Sequence, residues 1–183
     1  MILYMNKKNF IFAILIFVVL IGFYLTTAKE SAPKTGKIKA FDPQNFSVSI
    51  DDQNYDLVNG EAKVAALPGS ASVNTVRYFG NDVWGDLNND GYQDLAFIIT
   101  NDSGGSGVFY YVVVALGGKG KYTVTNPVLL GDRIAPQSTN IDESNRVLLV
   151  NYAQRKQGEP MTTAPSEGVT KRLKIGGNNL IVN

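Results

Sequence analysis

With 183 residues, 17 Lys and Arg against 16 Asp and Glu, no cysteine and no histidine, the chain is long enough for one domain with a real hydrophobic core. The missing cysteine excludes a disulfide framework, thiolate metal sites, a thiol nucleophile and lipid attachment through an N-terminal cysteine. Setting aside Lys7 and Lys8, the rest carries 15 bases against 16 acids, and so even a balance excludes the basic footprint of a nucleic-acid binder.

Residues 1–8 read as a short cytoplasmic stub containing Lys7 and Lys8. The uncharged run from Asn9 to Ala28 follows, dominated by Phe, Ile, Leu and Val. At about 1.5 Å per residue it reaches about 30 Å, the thickness of a bilayer's hydrocarbon core. Bases before such a helix favour an N-inside orientation, so the sequence predicts a single-pass signal anchor over 9–28 with everything after it outside the cell membrane. The alternative is a cleaved signal peptide, for which Thr26 and Ala28 supply small residues at cleavage spacing. The anchor is favoured because cleavable cores run only about 7–15 residues. Residues 29–40, KESAPKTGKIKA, are polar and broken by Pro33 and Gly36, and read as a tether.

From Phe41 to the end, the pattern changes to short apolar or alternating runs separated by turn residues, which predicts an all-β, mostly antiparallel extracytoplasmic domain over 41–183. Phe46, Val48 and Ile50 alternate with serines, Asp51 to Asn54 turns, and Tyr55 to Val58 returns, making a hairpin. Alanines cluster between Gly60 and Leu67, the one place left open for a short helix. Val73 to Phe79 is a strand leading toward Asp86. Leu95 to Thr100 and Val108 to Leu116 are apolar without alternation, as expected of strands covered on both faces. The glycine-rich segment between them, from Asn101 to Gly107, precedes a strand rather than a helix, so it reads as a hairpin turn and not as a phosphate cradle. Tyr122 to Leu130, Val147 to Tyr152, Lys171 to Ile175 and Leu180 to Val182 complete the strand candidates.

The segment with chemistry in it runs from Asp86 to Asp94. Asp86, Asn88, Asp90 and Asp94 place oxygen-bearing side chains at loop positions 1, 3, 5 and 9, Gly91 stands at position 6, and Tyr92 at position 7 would offer its backbone carbonyl. A hard cation wants about six to eight oxygens, and alternate residues of a tight loop can aim them inward, so the expected ligand is Ca²⁺. Between Arg77 and Lys119 there is no basic residue, although that interval holds Asp82, Asp86, Asp90, Asp94 and Asp102. Two carboxylates about 5 Å apart repel by roughly 3 kcal/mol at an effective dielectric near 20, which calls for a cation where they converge. The competing reading is a solvated acidic turn, since Asp, Asn and Gly are ordinary turn formers.

An EF-hand would carry a bidentate glutamate at position 12, where Phe97 stands, and a strand rather than a helix follows the loop. The segment therefore resembles the strand-flanked calcium loops of FG-GAP (integrin α-type) repeats. One copy is present, so the resemblance implies a local motif and not a propeller. GDLNNDG, SGGSGVFYYVVVAL, VLLGDRIAPQ and VNYAQRKQGEP together resemble a family of small uncharacterised bacterial envelope proteins, often anchored by one helix. That resemblance implies one domain from about residue 41 onward and an envelope location, and it transfers no catalytic role.

Candidate catalytic groups are weak. Ser103 or Ser106 could pair with a lysine, but no GxSxG elbow is present, and carboxylate pairs could be drawn only from Asp82, Asp132 and Glu159. Asp132 with Arg133 reads as a turn ion pair, and Arg155 to Met161 as an exposed loop in which Arg155 and Glu159 pair and Pro160 shapes the chain. Tyr110 and Tyr111, adjacent on a strand, should face opposite ways and cannot form one stacking platform. The expected function is a non-enzymatic, membrane-anchored binding module with a structural calcium loop, its partner an envelope protein or a cell-wall glycan. The alternatives are an envelope enzyme inhibitor or hydrolase-associated domain, and then a carboxylate hydrolase.

Overall fold

The computed structural model describes residues 40–67, 69 and 71–183. The expected stub, membrane span and nearly all of the tether lie outside those residues. Among the described residues there are twelve strands and no helix, and every strand pairing is antiparallel.

The two continuous apolar runs become the central strands β5 (Asp94–Asp102) and β6 (Val108–Gly117). They pair with each other and with β4 (Val73–Gly85), and β3 (Glu61–Ala65) extends the sheet beyond β4. Alternate residues of β5 and β6 enter two separate cores, which is why the stretches Leu95–Ile99 and Val112–Leu116 carry no polar residue. Leu95, Phe97, Ile99, Tyr111, Val113 and Ala115 face one core together with Phe46, Val48, Ile50, Tyr55 and Leu57. Those last five come from the hairpin β1 (Ser47–Ile50) and β2 (Gln53–Asp56) and its flanks. Ala96, Ile98, Val112, Val114 and Leu116 face the other core, with Leu148, Val150, Tyr152, Leu173 and Leu180. These belong to a second sheet, ordered β12-β11-β10-β9 and built from β9 (Ala135–Asp142), β10 (Val147–Gln154), β11 (Glu167–Gly176) and β12 (Asn179–Val182). A six-stranded sheet is thus covered by a hairpin on one side and a four-stranded sheet on the other.

Two expectations are corrected, and one further strand went unforeseen. The alanine cluster is not helical: β3 occupies it, pairing Glu61 with Arg77 and Ala65 with Val73. Ala62 is buried in the hairpin-side core, so ladder bonds and burial override alanine's helical preference in so short a segment. Tyr122 to Leu130 is two strands, β7 (Tyr122–Val124) and β8 (Val128–Asp132), sharing the free edge of β6. Pro127 has no amide to give the ladder, and beside the break the Thr125 hydroxyl accepts the Val114 amide at 3.2 Å. Asn126 turns its amide across to β12, accepting from Leu180 N at 2.8 Å and donating to Leu180 O at 3.1 Å. The unforeseen strand is β9: with the polar sequence APQSTNID, it has no apolar alternation and forms because β10 supplies its hydrogen bonds.

Candidate functional site

The 86–94 loop is the connection of the β4–β5 hairpin, with Gly85 and Asp94 as the last paired residues. Its backbone turns through two left-handed residues, Asn89 at φ +61° and Gly91 at φ +83°, conformations that Asn and Gly adopt at least cost. The side-chain oxygens hold that shape. Asp86 accepts from Asp90 N at 3.1 Å and from Gly91 N at 2.9 Å, one on each carboxylate oxygen. Asn88 Oδ1 also accepts from Asp90 N at 3.1 Å, while its Nδ2 donates to Asp90 Oδ2 at 3.0 Å. Asp90 Oδ1 accepts from Tyr92 N at 2.9 Å.

Asp94 differs from the others. It is solvent-inaccessible, and its two oxygens accept from Leu87 N and Gly117 N, each at 2.8 Å. One carboxylate therefore ties the start of the loop to the end of β6. Burial pushes its pKa up to about 6 against the downward pull of those two amides, with the Asp90 and Asp86 charges adding to the rise. Gly117 is required where it stands, because a Cβ there would overlap the Gln93 carbonyl.

A further carboxylate reaches the loop from the β9–β10 turn. Glu143 Oε1 accepts from Asp86 N at 3.0 Å, and a Cβ on Gly85 would lie 2.9 Å from that same oxygen. Sequence reading gave no sign of this contact, since 57 positions separate the residues and an exposed glutamate in a turn carries no motif.

The donor set suits a hard cation: carboxylates, an amide oxygen and no nitrogen or sulfur ligand. Each carboxylate oxygen has a second lone pair beyond the one given to an amide. As folded, the loop spends its side chains on its own backbone, and among the described residues no three acids are gathered closely enough to hold a metal ion. Phe97, at the EF-hand glutamate position, is buried among Phe41, Phe46 and Tyr78, with ring centroids 5.9, 5.2 and 6.2 Å away. The strand-flanked character expected of the loop is what the structure has.

The remaining candidates are dispersed among local structural duties. Asp82 accepts the Tyr78 hydroxyl at 2.8 Å, and burial together with that carboxylate pushes the Tyr78 pKa up to about 12. Asp132 pairs with Arg133 at 3.0 Å, as expected, and also accepts from Val108 N at 2.9 Å. Arg155 and Glu159 turn to backbone rather than to each other: Arg155 donates to Arg133 O at 3.0 Å and to Thr163 O, and Glu159 accepts from Lys156 N at 2.9 Å. Asp132 and Glu159 do line one cavity of about 260 Å³, each already committed as an acceptor. Ser103 and Ser106 are exposed in the β5–β6 turn. Tyr111 faces the hairpin-side core and Tyr110 the opposite one, as their adjacency requires.

Exposed aromatics were not singled out by the sequence. Trp84, 43% exposed and two residues before Asp86, lies edge-on to Tyr122 with centroids 6.5 Å apart. Phe79, 44% exposed, lies edge-on to Tyr110 at 5.4 Å.

Fold and site define an antiparallel β domain whose central hairpin ends in an oxygen-rich loop anchored by a buried aspartate. No family model matches the chain, and neither a curated protein nor a solved structure matches it.

Proposed function

We propose that the protein is a non-catalytic binding module, held at the cell membrane by the helix over 9–28 and displayed outside it, in which calcium on the 86–94 loop stiffens a surface that takes a cell-wall glycan. The observation that carries the reading is the position of Trp84. An indole almost half exposed sits directly ahead of the oxygen-rich loop, held edge-on by Tyr122, and an exposed indole face is suited to stack on the apolar face of a sugar ring. The loop residues Asp86, Asn88, Asp90 and Asp94, with the Tyr92 carbonyl, would hold the ion, and water would complete its shell. Calcium would supply no chemistry beyond rigidity. Fixing the loop would limit the motion of the β4 end that bears Trp84.

The full chain in non-ionic detergent should be retained by insoluble cell-wall glycan, and Trp84→Ala should lose retention while still unfolding cooperatively. Retention unchanged by Trp84→Ala would remove the glycan reading and leave an envelope protein as the partner to seek. Protease added outside spheroplasts should remove the domain from the membrane. A released soluble form starting near Lys29 would show cleavage instead of anchoring.

A further inference from the structure

Beside the 86–94 loop, on the side of the second sheet, lies a cavity of about 370 Å³, within the size range of small-molecule sites. Three segments distant in sequence build it: Leu87 and Asn88 from the loop, Asn145 and Arg146 from the β9–β10 turn, and Lys174, Ile175 and Gly177 at and just beyond the end of β11. Two of the seven are cations, and none is an acid.

Among the described residues, the Arg146 guanidinium and the Lys174 ammonium make no ion pair and no side-chain hydrogen bond. The nearby acids of the turn are committed elsewhere: Asp142 accepts from Asn145 N at 3.0 Å and Asn145 Nδ2 at 2.8 Å, and Glu143 accepts from Asp86 N. Like charges facing one cavity repel, and an anion between them removes that cost.

The backbone at Arg146 bears on how the test is designed. Its φ is +54°, the left-handed position closing the β9–β10 turn, where glycine is the unstrained choice. An arginine in that conformation carries a modest strain that glycine would not.

We propose that this cavity is an anion-binding site, in which Arg146 and Lys174 grip the carboxylate or phosphate of a small organic anion. Its apolar body would rest on Leu87 and Ile175, and the Asn88 and Asn145 amides would complete its hydrogen bonds. The site needs no metal on the neighbouring loop and no contact with Trp84, so it stands or falls apart from the glycan reading.

The test titrates the full chain, in uncharged detergent and low-salt buffer stripped of divalent ions, with inorganic phosphate in one arm and succinate in the other. Heat of binding and the arginine side-chain NMR signals serve as readouts. At least one probe should bind saturably, with a dissociation constant on the order of 1–10 mM for so few contacts, and added salt should weaken it. Lys174→Gln should weaken binding by about tenfold or more, the scale of one lost charge-assisted contact. Arg146→Gly should do the same while raising the melting temperature, because glycine relieves the left-handed strain. A purely structural arginine would show the second effect without the first. Preference for phosphate or for succinate assigns the head group. Failure of both probes to saturate, or binding unchanged in Lys174→Gln, overturns the proposal even if Arg146→Gly does not fold.

Discussion

Replacing Asp94 by asparagine and following stability against pH isolates the charge at the base of the loop. Asp94 is fully covered though shallow, and its pKa stands at about 6 in the folded domain against 3.8 for the free group. A raised carboxylate pKa destabilises the fold at high pH, and that cost disappears as pH falls from about 6 through about 3.8. In that window the folded state binds the proton more tightly than the unfolded one. The full shift of about 2 pKa units corresponds to about 3 kcal/mol, of which about 2 kcal/mol falls between pH 6.5 and 4.5. Asparagine has the same shape and no charge, but its single carbonyl can accept from Leu87 N or Gly117 N and not both. It therefore shifts stability by a pH-independent amount and removes the pH-dependent one. In metal-free buffer, wild type should gain about 2 kcal/mol on Asp94→Asn between pH 6.5 and 4.5, or several degrees of melting temperature for a domain of this size. Groups titrating equally in both proteins, such as Asp142 with its lowered pKa, cancel from the difference. Parallel melting curves for the two proteins across that range would refute the assignment of a strained buried carboxylate.

Phe97→Ala should destabilise by about 3–5 kcal/mol in urea unfolding, since it empties a fully buried site ringed by aromatic side chains. Gly117→Ala should cost at least about 2 kcal/mol and disturb the loop amides in NMR, because the new Cβ meets the Gln93 backbone carbonyl rather than a side chain that can swing away. An alanine at Gly131, by contrast, meets only the Ile134 side chain and should cost less.

Much of the core was legible because burial on both faces removes alternation: Leu95 to Thr100 and Val108 to Leu116 can hardly be read otherwise. The loop was legible for a different reason, since its shape is written in Asp, Asn and Gly at fixed spacing. What escaped was whatever depends on a distant partner. β9 is polar and exists through its pairing with β10, and β3 exists because β4 offers an edge and the hairpin-side core has room for Ala62. Asp94 could be placed in the motif from sequence, yet its attachment to Gly117 N, 23 residues away, could not. Nor could the arrival of Glu143 at Asp86, or the meeting of Arg146 and Lys174 at one cavity. These are products of how the sheets stack, and no local pattern encodes them.

The calcium reading is tested most directly by melting the full chain in metal-stripped buffer and again in about 1 mM calcium, for wild type and for Asp90→Ala. With a dissociation constant of about 0.1 mM, typical in order of magnitude for extracellular sites lacking a bidentate glutamate, linkage gives about 1.4 kcal/mol and a rise of a few degrees. Asp90→Ala should abolish the rise; without calcium it loses the bonds from Tyr92 N and Asn88 Nδ2, a cost partly offset by eased repulsion on Asp86 and Asp94. Magnesium should raise the wild-type melting temperature less, since it demands a tighter octahedron. A wild-type melting temperature identical with and without calcium would contradict the account and leave the 86–94 loop as a hairpin turn held by its own amides.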